Sequence, residues 1–161
     1  MLSAKDLKIT FNPGTPIETR ALRGASLEIP AGQFVTVIGS NGAGKSTFLN
    51  AISGDLLVDT GSIVIDGEDM TRKPVWERSS RVARVFQDPM AGTCEDLSIE
   101  ENMALAHERG NFRGLKKAVK AANRELYRER LATLGLGLEN RLTDRIGLLS
   151  GGQRQAVSLL M

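Results

Sequence analysis

The chain has 161 residues, 41% of them hydrophobic and 25% charged, which suits one globular domain with a real core. A formal charge of +2 is too small to argue for a nucleic acid or an anionic membrane as direct partner. One cysteine, Cys94, rules out an internal disulfide, and no apolar run reaches the roughly 18 residues that span a bilayer. The first residues lack the apolar stretch of a secretory signal, so the expected address is the cytoplasm.

Residues 7–11 and 26–29 read as short strands around the turn-forming run Asn12-Pro13-Gly14-Thr15-Pro16. Residues 34–38, Phe-Val-Thr-Val-Ile, form a β-branched run before glycine, the pattern of a buried strand in a parallel sheet. A helix is expected over 45–52, with Phe48, Leu49 and Ile52 on one face. Residues 62–66 and 81–86 supply two further strand candidates.

Between the third strand and the first helix lies Gly39-Ser40-Asn41-Gly42-Ala43-Gly44-Lys45-Ser46, followed by Thr47. Glycines at 39, 42 and 44 let the backbone turn tightly and present its N–H groups without side chains in the way. The helix that follows aims its open N–H groups and positive dipole end at the same spot. Dense anionic charge is what such a site takes. Lys45 would reach the β- and γ-phosphates of a nucleotide, and the Ser46 hydroxyl would complete the coordination of Mg²⁺. The four fixed positions would coincide by chance about once in 10⁴ starting points.

After Pro89 the character turns helical. Ser98-Ile99-Glu100-Glu101 has the form of a capping box and would start a helix to about Ala106. Leu115, Ala118, Val119, Ala122, Leu126, Leu131 and Leu134 keep near a 3–4 spacing and predict a longer second helix. Its other face, with Lys116, Lys117, Lys120, Arg124, Arg128 and Arg130, reads as solvated. His107 reads as a partly exposed side chain. Leu149-Ser150-Gly151-Gly152-Gln153 has two compatible readings: Ser150 and Gln153 cap the next helix, and the serine with two glycines offers a second anion site.

Together the phosphate loop and the Leu149–Gln153 run resemble the ABC (ATP-binding cassette) ATPases, and the resemblance covers the whole chain. It implies an α/β fold: a P-loop NTPase core with an antiparallel β subdomain and an inserted α-helical subdomain. The implied division is one ABC ATPase domain over 1–161, with the nucleotide-binding part at 1–88 and the helical subdomain and signature helix at 89–161. In that family two cassettes pair head to tail around ATP and Mg²⁺, so Ser150, Gly151, Gly152 and Gln153 would act on a partner's nucleotide. Val85-Phe86-Gln87-Asp88-Pro89 resembles the family's Q-loop, where Gln87 would touch Mg²⁺ and the attacking water. Phe11 stands where the family stacks an aromatic ring on adenine, core packing being the other reading of that residue.

The family continues past the signature helix into an aspartate-ended strand, a catalytic glutamate and a switch histidine, none of which is matched here. The chain is therefore expected to be a piece of a longer ATPase, lacking the C-terminal part of the core. It should bind ATP yet hydrolyse it poorly, and it should leave apolar surface uncovered. The leading expectation is the ATPase subunit of a bacterial importer for a small solute. It would sit on the inner face of the plasma membrane through permease subunits, pair with a second ATPase subunit, depend indirectly on a solute-binding protein, and engage no nucleic acid. A soluble ABC ATPase of ribosomes or DNA and a non-catalytic nucleotide-binding remnant are the alternatives.

Overall fold

Strand β1 (Leu2–Phe11) buries Ala4, Leu7 and Ile9, although residues 4 and 7 would face opposite sides of a regular strand. A bulge resolves the mismatch. Pairing shifts register between Lys5 and Lys8, Asp6 takes a positive φ of 48°, and the apolar phase is reset toward the core. In this computed structural model, which describes residues 1–111 and 117–161, β1 pairs antiparallel with β2 (Thr19–Ile29) on one side and β3 (Thr60–Ile65) on the other. A two-residue β4 (Glu68–Asp69) completes a sheet of order β2-β1-β3-β4. Helix α1 (Lys45–Ser53) adds Phe48 and Ala51 to the core that this sheet builds from Leu7, Ile9, Leu22, Ile63 and Ile65. A short α2 (Val75–Arg78) follows.

Two expectations about strands are corrected here. Residues 34–38 join no ladder, and Phe34 and Ile38 are 95% and 89% exposed. The run has the intrinsic preference of a strand, but only a paired neighbour turns preference into a ladder, and none of the described strands pairs with it. Residues 81–86 are not a strand either: the amides of Arg81 and Val82 both donate to the Arg78 carbonyl at 2.9 Å, continuing the turn that ends α2. Leu49 is likewise 54% exposed, and Ala51 takes its place on the buried face of α1.

The chain divides into two compact units, Met1–Ala83 and Arg84–Met161. The second is helical. Its helices are α3 (Ile99–His107), α4 (Arg124–Ala132) and α5 (Gly151–Leu160), packed through Ile99, Met103, Tyr127, Leu131, Ile146 and Val157. The capping box at Ser98 forms as expected, since Ser98 Oγ accepts the Glu101 amide and the Glu101 carboxylate accepts the Ser98 amide. The longer second helix is corrected. A 3₁₀ turn over Ala121–Asn123 precedes α4, and Tyr127 with Leu131, four residues apart, forms the buried stripe while Ala118 and Ala122 face solvent. Leu115 and Lys116 lie outside the described residues. Of the basic face, Arg124 makes a two-pronged bond to the buried Glu100 at 2.7 and 2.8 Å, and Lys120 reaches Glu108 at 2.6 Å. His107 is exposed and stands edge-on to Tyr127, with centroids 6.2 Å apart.

Candidate nucleotide-binding site

Helix α1 begins without a side-chain cap. Its N-cap is Gly44, in the left-handed region at φ 85°, and the first helical bond is Phe48 N–H to the Gly44 carbonyl at 2.8 Å. The amides of Lys45, Ser46 and Thr47 precede that bond, so three donors stay open at the positive end of the helix dipole. No acidic residue in the first turn competes for them. Only glycine serves at 44: a Cβ there would stand 2.8 Å from the Ala21 carbonyl on β2. Gly42, at φ 82°, has nothing within 4 Å of where a Cβ would stand, which leaves open space on that side of the loop.

Lys45 turns back over this loop. Its Nζ donates to the carbonyls of Gly39 and Ser40, both at 2.8 Å, while Ala43 N–H bonds the Ser40 carbonyl at 3.2 Å. The ammonium is thus held against two neutral backbone carbonyls of the loop. Ser40, Asn41 and Ser46 are exposed around it. The cleft beside the loop is lined by Arg20, Leu22 and Arg23 of β2 with Gly42 and Ala43, so cationic side chains stand next to the Gly42–Ala43 stretch. Phe11 ends β1 opposite Thr19, next to the strand that lines this cleft, and is 37% exposed.

The far end of α1 is held by a residue that the sequence did not single out. Arg78 is fully buried, and its guanidinium donates to the carbonyls of Ala51 and Ile52 at 2.7 and 2.9 Å, and to Lys73 and Thr71. Burial holds its basicity below the ordinary arginine value, with Asp69 opposing. α1 has no basic residue of its own in its last turn, so Arg78 supplies the cation that its negative end favours. No spacing rule marks an isolated arginine as a helix cap supplied from elsewhere in the chain.

The Arg84–Met161 unit carries the other predicted residues. Ser150 caps α5: its hydroxyl oxygen accepts the Gln153 amide at 3.3 Å, and Gln153 Oε1 accepts the Ser150 amide at 3.1 Å. Gln153 is therefore engaged with the helix start. Gly151 and Gly152 are exposed with nothing within 4 Å of a would-be Cβ, and their amides precede the first helical bond, Arg154 N–H to Ser150 at 2.9 Å. Gln87 is exposed in a bend just after Phe86. Two polar residues that no motif marks tie this unit together, Asn102 buried and Gln155 half-buried. Asn102 clamps the Cys94 amide and the carbonyls of Cys94 and Ser98, and Gln155 donates to the Phe86 carbonyl at 3.1 Å.

Open amides, a lysine ammonium and a serine hydroxyl make a donor set that fits a polyphosphate. Among the described residues there is no group of three or more His, Cys, Asp and Glu able to hold a metal ion. A magnesium ion here would thus be carried mainly by the phosphates.

The family model described as ABC transporter matches residues 22–161. A tyrosine transport ATP-binding protein of Clostridioides difficile (strain R20291) is 40% identical over 163 residues, spanning 100% of this chain and 64% of that protein. An energy-coupling factor transporter ATP-binding protein of Streptococcus pyogenes is 35% identical over 158 residues, 94% of this chain and 51% of the relative. The chain thus spans 51–64% of the length of these curated relatives. Among solved structures, a dimeric ATP-binding cassette in a post-hydrolysis state bound to ADP and Pi aligns with a TM-score of 0.80 and 28% identity, over 99% of this chain and 68% of that one. A dimeric bacterial ABC transporter cassette aligns at 0.78 and 28%. With the phosphate loop leading into an uncapped helix and a family match over most of its length, the chain belongs to the ABC transporter family and has the P-loop NTPase fold of an ABC cassette.

Proposed function

We propose that residues 1–161 are the nucleotide-holding part of an ATP-binding and ATP-hydrolysing subunit that energises a membrane ABC transporter. The observation that carries this is the Lys45 ammonium resting on the Gly39 and Ser40 carbonyls beside three open amides of α1. Those carbonyls are neutral acceptors. Phosphate oxygens are charged and make stronger bonds, so Lys45 exchanges one set for the other when MgATP arrives. Lys45 and the loop from Gly39 to Thr47 bind and orient the triphosphate, Ser46 and Gln87 meet the magnesium ion, and Phe11 stacks on the base. Magnesium, when bound, neutralises charge on the β- and γ-phosphates.

Ser150, Gly151 and Gly152, exposed at the start of α5, offer a hydroxyl and open amides to the γ-phosphate of a second subunit's ATP. Pairing of two subunits is thereby tied to the triphosphate, and the permease converts that closure into solute movement. We assign residues 1–88 to the nucleotide-binding part of a single ABC ATPase domain and 89–161 to its helical and signature part. Relatives named for tyrosine and energy-coupling factor transport support movement of a small solute, which we assign as uptake. In this reading the permease holds the subunit at the inner face of the membrane and a solute-binding protein acts further out. Hydrolysis is assigned to the full-length protein. Residues 1–161 alone bind MgATP and turn it over poorly, because the family's general base matches no position among them.

The test is equilibrium binding of MgATP to the full-length protein. Lys45→Ala should weaken it by roughly 10- to 100-fold, the loss of one or two charge-assisted bonds. Undiminished affinity would remove the assignment.

A further inference from the structure

Gln155 lies two residues beyond the signature and plays no part in the capping of α5. Its side-chain amide donates to the main-chain carbonyl of Phe86 at 3.1 Å, and the next residue is Gln87. Three residues further along the same helix face, Ser158 is buried against the other end of this segment. A Cβ on Gly92 would stand 2.7 Å from Ser158 Oγ and 3.7 Å from the Phe86 ring. Residues 86–92 are thus seated on α5 at two points, with Gln87 and Asp88 exposed between them. Beyond Gly92 the chain is sewn to the approach of the signature by main-chain bonds. Ile146 N–H meets Leu97 and Gly147 N–H meets Glu95, both at 3.0 Å, while Ser98 bridges Arg145.

We propose that Gln155 is a positioning residue that makes the Gln87 segment and the signature move as one piece. The inference rests on the roles proposed for Gln87 and Ser150. α5 is a continuous helix, and Gln155 sits only about 7.5 Å along its axis from Ser150. A displacement of the Phe86–Gln87 peptide as Gln87 follows the nucleotide therefore pulls on α5 through the Gln155 amide. The capped serine and its two glycines move with the helix. A carbonyl acceptor demands a donor at 155, so shape without an N–H does not suffice.

The test uses the full-length ATPase in its transporter complex, with Gln155→Leu and Gln155→Glu, both near the native size and neither able to donate. Each should lower kcat for MgATP about fivefold, the worth of one hydrogen bond, while KM stays within about twofold of the parent. Combined with Gln87→Ala, neither should lower kcat further, because the link then has nothing to transmit. Gln155→Glu at parental kcat, or full additivity with Gln87→Ala, would overturn the proposal. If the variants fold poorly, hydrogen exchange of the unaltered protein decides. Amides 87–92 and 150–158 should change protection together on adding MgATP, and independent changes would refute the link. Failure of the parent itself to bind MgATP would instead sink the nucleotide reading, which separates the two outcomes.

Discussion

Gly44 carries two demands at once, a left-handed backbone at φ 85° and a carbonyl 2.8 Å from where a side chain would begin. Alanine there meets a backbone cost of roughly 1–2 kcal/mol before any displacement of β2 is counted. Gly44→Ala should lower the denaturation midpoint of the full-length protein and weaken MgATP binding by an order of magnitude or so, read by chemical unfolding and by titration. Lys45 shows the converse. Its chemistry is legible from the loop motif alone, yet its resting partners, the Gly39 and Ser40 carbonyls, follow from how the loop closes. Phe11 was open to two readings. At 37% exposure and at the end of β1, it stands outside the core cluster of its unit.

At the scale of elements, the features that local chemistry governs were readable. The boxes at Ser98 and Ser150 both form, because a hydroxyl and a carboxamide or carboxylate three residues apart reach each other's amides with no help from the rest of the chain. Ser98→Ala should cost about 1 kcal/mol of stability, measurable as a shift in midpoint with unchanged m-value. The Ser98 amide and hydroxyl hold the Glu101 carboxyl below the usual carboxylate range. A depressed acid contributes stability above its unfolded value, so this contribution is lost as pH falls below the ordinary glutamate range of about 4.3. Elements that depend on distant partners were not readable. Residues 34–38 have strand chemistry but no ladder, and the stripe of α4 runs through Tyr127 because aromatic bulk fills that core better than the alanines that the spacing favoured.

For the whole molecule, each unit closes its own core, one of sheet and helix over Met1–Ala83 and one of helices over Arg84–Met161. The proposed machine needs residues from both, together with a second copy. Ser150→Arg places a long cationic side chain at the exposed start of α5, where two glycines leave open space. In the full-length protein it should leave MgATP binding by the monomer intact and abolish ATP-dependent pairing, scored by light scattering with and without MgATP. A normal dimer would argue that the two glycines face no partner nucleotide.

Residue order alone determined the phosphate loop, the helix that follows it, both caps and the kinship with ABC ATPases, since all of these rest on neighbours within a few positions. Tertiary structure decided the rest: Arg78 closing the far end of α1 from 26 residues away, Gln155 reaching Phe86 across 69, and Glu100 buried under Arg124. Those bonds join groups that no periodicity relates. Folding must first bring the partners together before burial can make each bond worth keeping.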